Sequence, residues 1–174
     1  MIWKFLFWPV IWIVTFLPGW IWTLYLDGIM RWAALFLGLI LFAYMTVLTA
    51  VGGRTLRYFA HQENRKTFWP DKFTAVGIYG CMRHPMHLGL ALFPVSIALM
   101  WGSIPVILTA GWSVAATFWF VLTIEEKETL KYFGNEYSHY MQHTPAFTLS
   151  PKCLMKGYLT IKQEEQDVKN CQGE

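Results

Sequence analysis

Four long apolar stretches constrain this chain more than any other feature. The first runs from Ile2 to Leu26, broken only by Lys4, Pro9 and the Pro18-Gly19 pair. The second covers Trp32 to Val51 without a charge, the third Met86 to Trp101, and the fourth Ile104 to Ile124. A bilayer core of about 30 Å takes roughly 17–25 helical residues, so the third stretch is short but workable. The uncharged link Gly102-Ser103-Ile104-Pro105 predicts a tight helical hairpin between the last two spans. Composition agrees, with 55% hydrophobic, 18% aromatic and 14% charged residues. Soluble domains carry about 45–50% apolar residues and about 25% charge. A disordered chain, a disulfide scaffold and a polar nucleotide-binding α/β domain are excluded. The expected fold is all-α, a polytopic membrane bundle of about four spans, or five if Pro18-Gly19 splits the first stretch.

The first stretch reads as a span rather than a cleaved leader. Its apolar run is too long, it is rich in Trp, and no small-residue cleavage site follows. Basic residues then set the orientation. Arg54, Arg57, Arg65, Lys66, Lys72 and Arg83 lie between the second and third spans; Lys127, Lys131, Lys152, Lys156, Lys162 and Lys169 follow the fourth. Only Lys4 and Arg31 of the 14 Lys and Arg fall elsewhere. Four spans with both termini cytoplasmic satisfy this pattern, in a bacterial inner membrane or the endoplasmic reticulum. The net charge of +3 is too small to argue for nucleic acid. Cys81, Cys153 and Cys171 form no CxxC pair and fall in or near cytoplasmic segments, so no disulfide is expected. Residues 1–160 form one domain, and 161–174 read as a polar, mobile tail.

Two segments carry the chemistry. The first is Val76 to Gly89, VGIYGCMRHPMHLG. Pro85 suits the first turn of a helix, where its missing N–H has no partner anyway. Arg83 and His84 therefore stand at the mouth of the third span, with His87 one turn inside. The second is Ile124 to Phe147, IEEKETLKYFGNEYSHYMQHTPAF. Glu125 and Glu126 sit at the end of the fourth span, where a carboxylate opposes the helix dipole and the lipid. Two acids in so poor a place suggest that they answer a cation. A purely structural account pairs them with Lys127, Lys131 or Arg83. Beyond them, Leu130, Phe133, Tyr137, Tyr140 and Met141 recur at helical spacing, predicting an amphipathic helix over the end of the bundle. His84 and His87 are three apart and His139 and His143 four apart, spacings able to hold a metal. Five histidines nevertheless fall short of the repeated boxes of membrane di-iron oxygenases, and no metal is expected.

The order RHPMHLG, EE, FGNEYSHY, PAF resembles the isoprenylcysteine carboxyl methyltransferases and the wider membrane methyltransferases that include the phospholipid methyltransferases. Gly77, Tyr79, Arg83, His84, Pro85 and Gly89 meet the first part of the family pattern. Glu125, Glu126, Leu130 (one residue beyond its usual place), Phe133, Gly134, Tyr137 and Tyr140 meet the second. His87 stands where the family usually has Tyr, and Ile78 and Gly80 stand where it usually includes Pro and Arg. The resemblance implies S-adenosylmethionine as methyl donor, held mainly by residues 76–147. It implies donor contacts from Tyr79, Arg83, His84, Pro85, Leu88, Gly89, Glu125, Glu126, Tyr137 and Tyr140. Arg83, Glu126 and His87 are the candidates for catalysis, His87 or Glu126 as base if one is needed. The acceptor would be lipophilic and would enter from the bilayer: an isoprenylcysteine-like carboxylate, a phospholipid amine or a hydrophobic thiol. A sterol-reductase-like NADPH enzyme and a non-enzymatic membrane scaffold are the competing readings.

Overall fold

A computed structural model describes residues 2–61 and 70–172, with side chains from 6–61 and 70–170. Arg65 and Lys66, and the side chains of Lys4 and Cys171, lie outside the described residues. The helices are α1 (Ile2–Ile21), α2 (Gly28–Phe59), α3 (Pro85–Trp101), α4 (Ile104–Phe120), α5 (Glu126–Phe133), α6 (Asn135–His143) and α7 (Pro151–Gln172). A 3-10 helix spans Gly77–Gly80 and a π-helical turn Val121–Glu125. Among the described residues the isolated pairing of Tyr25 with Ser103 is the sole β-type contact. The all-α expectation holds. Gly28–Phe59 and Ile104–Phe133 are long and apolar enough to cross a membrane, while Leu6–Ile21 and Pro85–Trp101 are shorter apolar helices.

The chain divides into two compact units. The first comprises residues 1–46 and 89–120. Here α1 continues through Pro9 and Pro18, so the opening stretch is one helix that stops at Ile21. Ala98, Val106 and Ala110 form its core, with Phe16, Val95, Trp101 and Ile107 packed around them. Small residues at such contacts let helices approach where lipid offers no hydrophobic drive to associate. The Thr109 hydroxyl donates to the Thr15 carbonyl at 2.7 Å, tying α4 to α1. Trp20, Ile29, Trp32 and Leu108 are each at least 71% exposed, an outer surface suited to lipid rather than water. The Gly102-Ser103 link joins α3 to α4 as the sequence predicts. Arg31, just ahead of the second apolar stretch, sits in the first turn of α2 and donates to the Met100 carbonyl at 2.9 Å.

The second unit comprises residues 47–88 and 121–174. The amphipathic stripe expected on a single helix is split between α5 and α6. Gly134 causes the break, with φ +58° and ψ −131°, a conformation that an L side chain resists. Of the stripe, Tyr137 and Tyr140 are buried and Leu130 is 38% exposed. The polar end of the chain, from Ile161, forms the second half of α7. That helix lies against the 3-10 turn: a Cβ at Gly157 would come within 2.8 Å of Ile78 Cβ and 2.7 Å of Val51 Cγ1. Only glycine permits so close an approach.

Candidate active site

The second unit gathers the charged residues of both sequence segments. His84 caps α3: its carbonyl accepts the first intrahelical bond, from Leu88 at 3.0 Å, and Pro85 follows as the first helical residue. The segment before it is held from outside. Arg83 N–H donates to the Pro145 carbonyl at 3.0 Å and His84 N–H to that of Ala146 at 3.1 Å. Pro145 and Ala146 thus act through carbonyls, an action that any residue type could perform.

The π-helical turn presents the acid. An extra residue in one helical turn rotates all later side chains about the axis, and such bulges often occur at functional sites. After Val121–Glu125, Glu126 is buried at 6% exposure while the neighbouring Lys127 is exposed. Its Oε1 receives Arg83 Nε at 2.8 Å and Arg83 Nη2 at 2.6 Å, and lies 3.0 Å from His84 Nε2. Arg83 Nη1 donates to the carbonyls of Met141 at 2.9 Å and Thr144 at 2.6 Å. The Arg83, His84 and Glu126 side chains are 8–9% exposed. Arg83 therefore ties together α3, α5 and the end of α6. A buried pair of this kind is costly to break because either partner left alone is an uncompensated charge.

Aromatic side chains wall the cluster. Tyr140 donates its hydroxyl to the Tyr79 carbonyl, with that of Met82 at 3.4 Å, fixing the turn that leads to Arg83. Phe73, Tyr137 and Tyr140 form a ring set with centroids 5.2–6.3 Å apart, two of the three contacts edge-to-face. Phe133 joins through Phe73 at 5.8 Å. The Tyr137 hydroxyl is buried and makes no hydrogen bond of good geometry among the described residues. Burial, then the Glu126 charge, pushes its pKa up to about 12, with Arg83 opposing. Burial also raises Tyr79 and Tyr140, with Tyr140 and Tyr137 respectively adding to it. All three phenols remain neutral donors near neutral pH.

Of the remaining sequence candidates, His87 is half-buried on the first turn of α3, its ring 5.6 Å from that of His84 and edge-on. Leu88 is buried at 2% exposure, and Gly89 is buried in the same helix. Glu125 closes the π-turn and is half-buried. Phe73 and the carbonyls of Met141, Thr144, Pro145 and Ala146 escaped sequence reasoning. Phe73 lies in an irregular segment with no period to flag it, and a carbonyl has no residue signature.

Residues 33–136, well over half of the chain, match the family model described as phospholipid methyltransferase. The chain belongs to that family of membrane methyltransferases. The match includes Tyr79, Arg83, His84 and Glu126 and ends one residue before Tyr137. Curated proteins and solved structures yield no match. Membership places the chain among methyltransferases, in accord with its resemblance and against the reductase reading.

Proposed function

We propose that this protein transfers a methyl group from S-adenosylmethionine to a lipophilic acceptor at the Arg83–His84–Glu126 cluster. In this reading the chain crosses the membrane four times, with both termini on the basic, cytoplasmic side. The observation that carries the proposal is a buried Arg–Glu–His cluster beside an aromatic set, in a chain of a methyltransferase family. The residues present fit the donor. Tyr137 offers a buried hydroxyl without a well-formed bond, and the faces of Phe73, Tyr137 and Tyr140 favour a cationic sulfonium. Glu126 keeps an oxygen outside the bonds that converge on Oε1 and suits an ammonium or ribose hydroxyl. When bound, the donor supplies an electrophilic methyl group. Arg83 positions Glu126 and the end of α6, His84 orients the same carboxylate, and the aromatic side chains exclude water. Displacement at a methyl carbon asks chiefly for such alignment and desolvation.

A phospholipid amine suits the cluster better than a carboxylate as acceptor. A carboxylate would need a free cation, and Arg83 is committed to Glu126 and two carbonyls. An ammonium must instead lose a proton before it attacks. His87 is the candidate base, imidazole being the side chain whose ordinary pKa lies nearest neutrality. Calorimetric titration of detergent-purified protein with S-adenosylhomocysteine, with NADPH as comparator, tests the reading. S-adenosylhomocysteine binding without NADPH binding is the expected result; NADPH binding alone would refute it.

A further inference from the structure

Two thiols outside the methyl-transfer site face one another where α7 meets the 3-10 turn. The turn and the helix run past each other in opposite directions. A Cβ at Gly77 would meet Thr160 Cβ at 3.4 Å, one at Gly157 would meet Ile78 Cβ at 2.8 Å, and one at Gly80 would lie 3.3 Å from Lys156 Nζ. As the chain advances from Gly77 to Gly80, its contacts on α7 thus retreat from Thr160 to Lys156. One further step carries Cys81 toward Cys153, one helical turn before Lys156. The two thiols are near enough to influence one another electrostatically, both are unbridged, and both are half-buried, so a small reagent can reach them.

We propose that Cys81 and Cys153 form a reversible dithiol–disulfide pair whose oxidation fastens α7 to the turn that leads into Arg83. Neither cysteine has a part in the methyl-transfer reading. The oxidant is a small-molecule disulfide such as oxidised glutathione, and the reaction is two successive exchanges. Cys81 loses its proton and attacks one glutathione sulfur, forming a mixed disulfide and releasing one glutathione thiolate. Cys153 then loses its proton and attacks the Cys81 sulfur, releasing the second glutathione. The protein gives up two electrons and two protons, and the glutathione pair takes them. Burial, then the Cys81 sulfur as acceptor for the Cys153 S–H, raises the Cys153 thiol to about 11, which suits it to the intramolecular second step rather than the first. A thiol in excess reverses both exchanges.

The consequence is mechanical. Cys81 lies two residues before Arg83, inside the stretch that Tyr140 holds at the Tyr79 carbonyl. A covalent link there prevents α7 from leaving the turn without displacing the segment that carries Arg83. The test uses the full chain in detergent, equilibrated across oxidised-to-reduced glutathione ratios, alkylated and digested for mass spectrometry. The expected result is one peptide pair joining Cys81 to Cys153, present in the wild type and in Cys171→Ser and reversed by dithiothreitol. Glutathione adducts on either cysteine without the crosslink, or crosslinks through Cys171, would overturn the proposal. Hydrogen exchange over residues 151–172 tests the consequence on the same samples. Oxidation should slow it at least several-fold in the wild type and leave Cys153→Ser unchanged. Equal exchange in oxidised and reduced wild type would overturn the mechanical role.

Discussion

Glu126→Gln is the substitution that most directly weighs the buried ion pair. The amide keeps the shape of the carboxylate and can still accept at one oxygen, so the change isolates the charge. A hydrogen bond to a charged group contributes about 1.5–3 kcal/mol and a neutral one about 0.5–1.5 kcal/mol. Oε1 takes two bonds from the Arg83 guanidinium, at 2.8 Å and 2.6 Å, and the Arg83 side chain is only 9% exposed. Losing the charge assistance on both costs about 2 kcal/mol, close to 30-fold in an equilibrium constant. Glu126→Ala goes further and strands the guanidinium, at a cost of about 3–5 kcal/mol. Two readouts apply: thermal stability in detergent and affinity for S-adenosylhomocysteine. Stability should fall in the order wild type, Gln, Ala, and affinity should fall in both variants. Arg83→Gln should destabilise alone yet cost much less in the Glu126→Gln background, a coupling of about 0.5 kcal/mol or more. If both Glu126 variants unfold within about 0.5 kcal/mol of the wild type, the pair does not organise the site.

Three further outcomes rest on the same geometry. Tyr140→Phe removes the donor to the Tyr79 carbonyl. It should cost about 1 kcal/mol and weaken ligand binding without unfolding the chain, as thermal scans with and without S-adenosylhomocysteine would register. Tyr137, raised to about 12 by burial and the Glu126 charge, binds its proton more tightly when folded than the ordinary phenol at 10.0. Its contribution to stability is therefore complete below pH 10 and lost as the pH rises toward 12. Tyrosinate absorbance should show Tyr137, Tyr79 and Tyr140 lagging behind the exposed tyrosines, and Tyr137→Phe should remove one lagging group. Gly157→Ala forces a methyl to within 2.7 Å of Val51 Cγ1 and 2.8 Å of Ile78 Cβ. An overpacked contact of this kind costs about 1–3 kcal/mol, so proteolysis within α7 should accelerate while the helix content of the chain is kept.

The apolar helices were legible because hydrophobic runs and periodicity are local signals. The third stretch, read as Met86–Trp101, is helical from Pro85, and the uncharged Gly102-Ser103 link falls where the sequence puts it. The second helix runs eight residues past Val51, to Phe59, because Arg54 and Arg57 favour the helix as readily as apolar residues do. Hydropathy marks where a chain becomes polar, not where its helix ends. The split at Gly134 went unread because the stripe keeps its spacing across the break, and a single glycine inside a helical pattern carries little weight against it.

The site was half legible. Arg83 before a helix-starting proline, and two acids at an unfavourable helix end, stand out because each placement is costly unless answered. That Arg83 and His84 both reach Glu126, 43 and 42 residues away, is a tertiary fact that no local period encodes. The same holds for the carbonyls of Met141 and Thr144, for Phe73, and for the docking of α7 that brings Cys153 to Cys81. The π-turn is the clearest example. Its residues, Val121-Leu122-Thr123-Ile124-Glu125, read as ordinary apolar helix, yet the helix that follows it begins with Glu126 buried and Lys127 exposed.

Methyl transfer to a lipid at the Arg83–His84–Glu126 cluster is tested most directly with labelled donor. Membranes containing the protein are incubated with S-adenosylmethionine labelled in its methyl group, and the lipid extract is counted and resolved. Label should enter an amine-bearing phospholipid with the wild type and drop at least tenfold with Glu126→Gln. Label confined to water-soluble products, or equal labelling by wild type and variant, would contradict lipid methylation at this cluster.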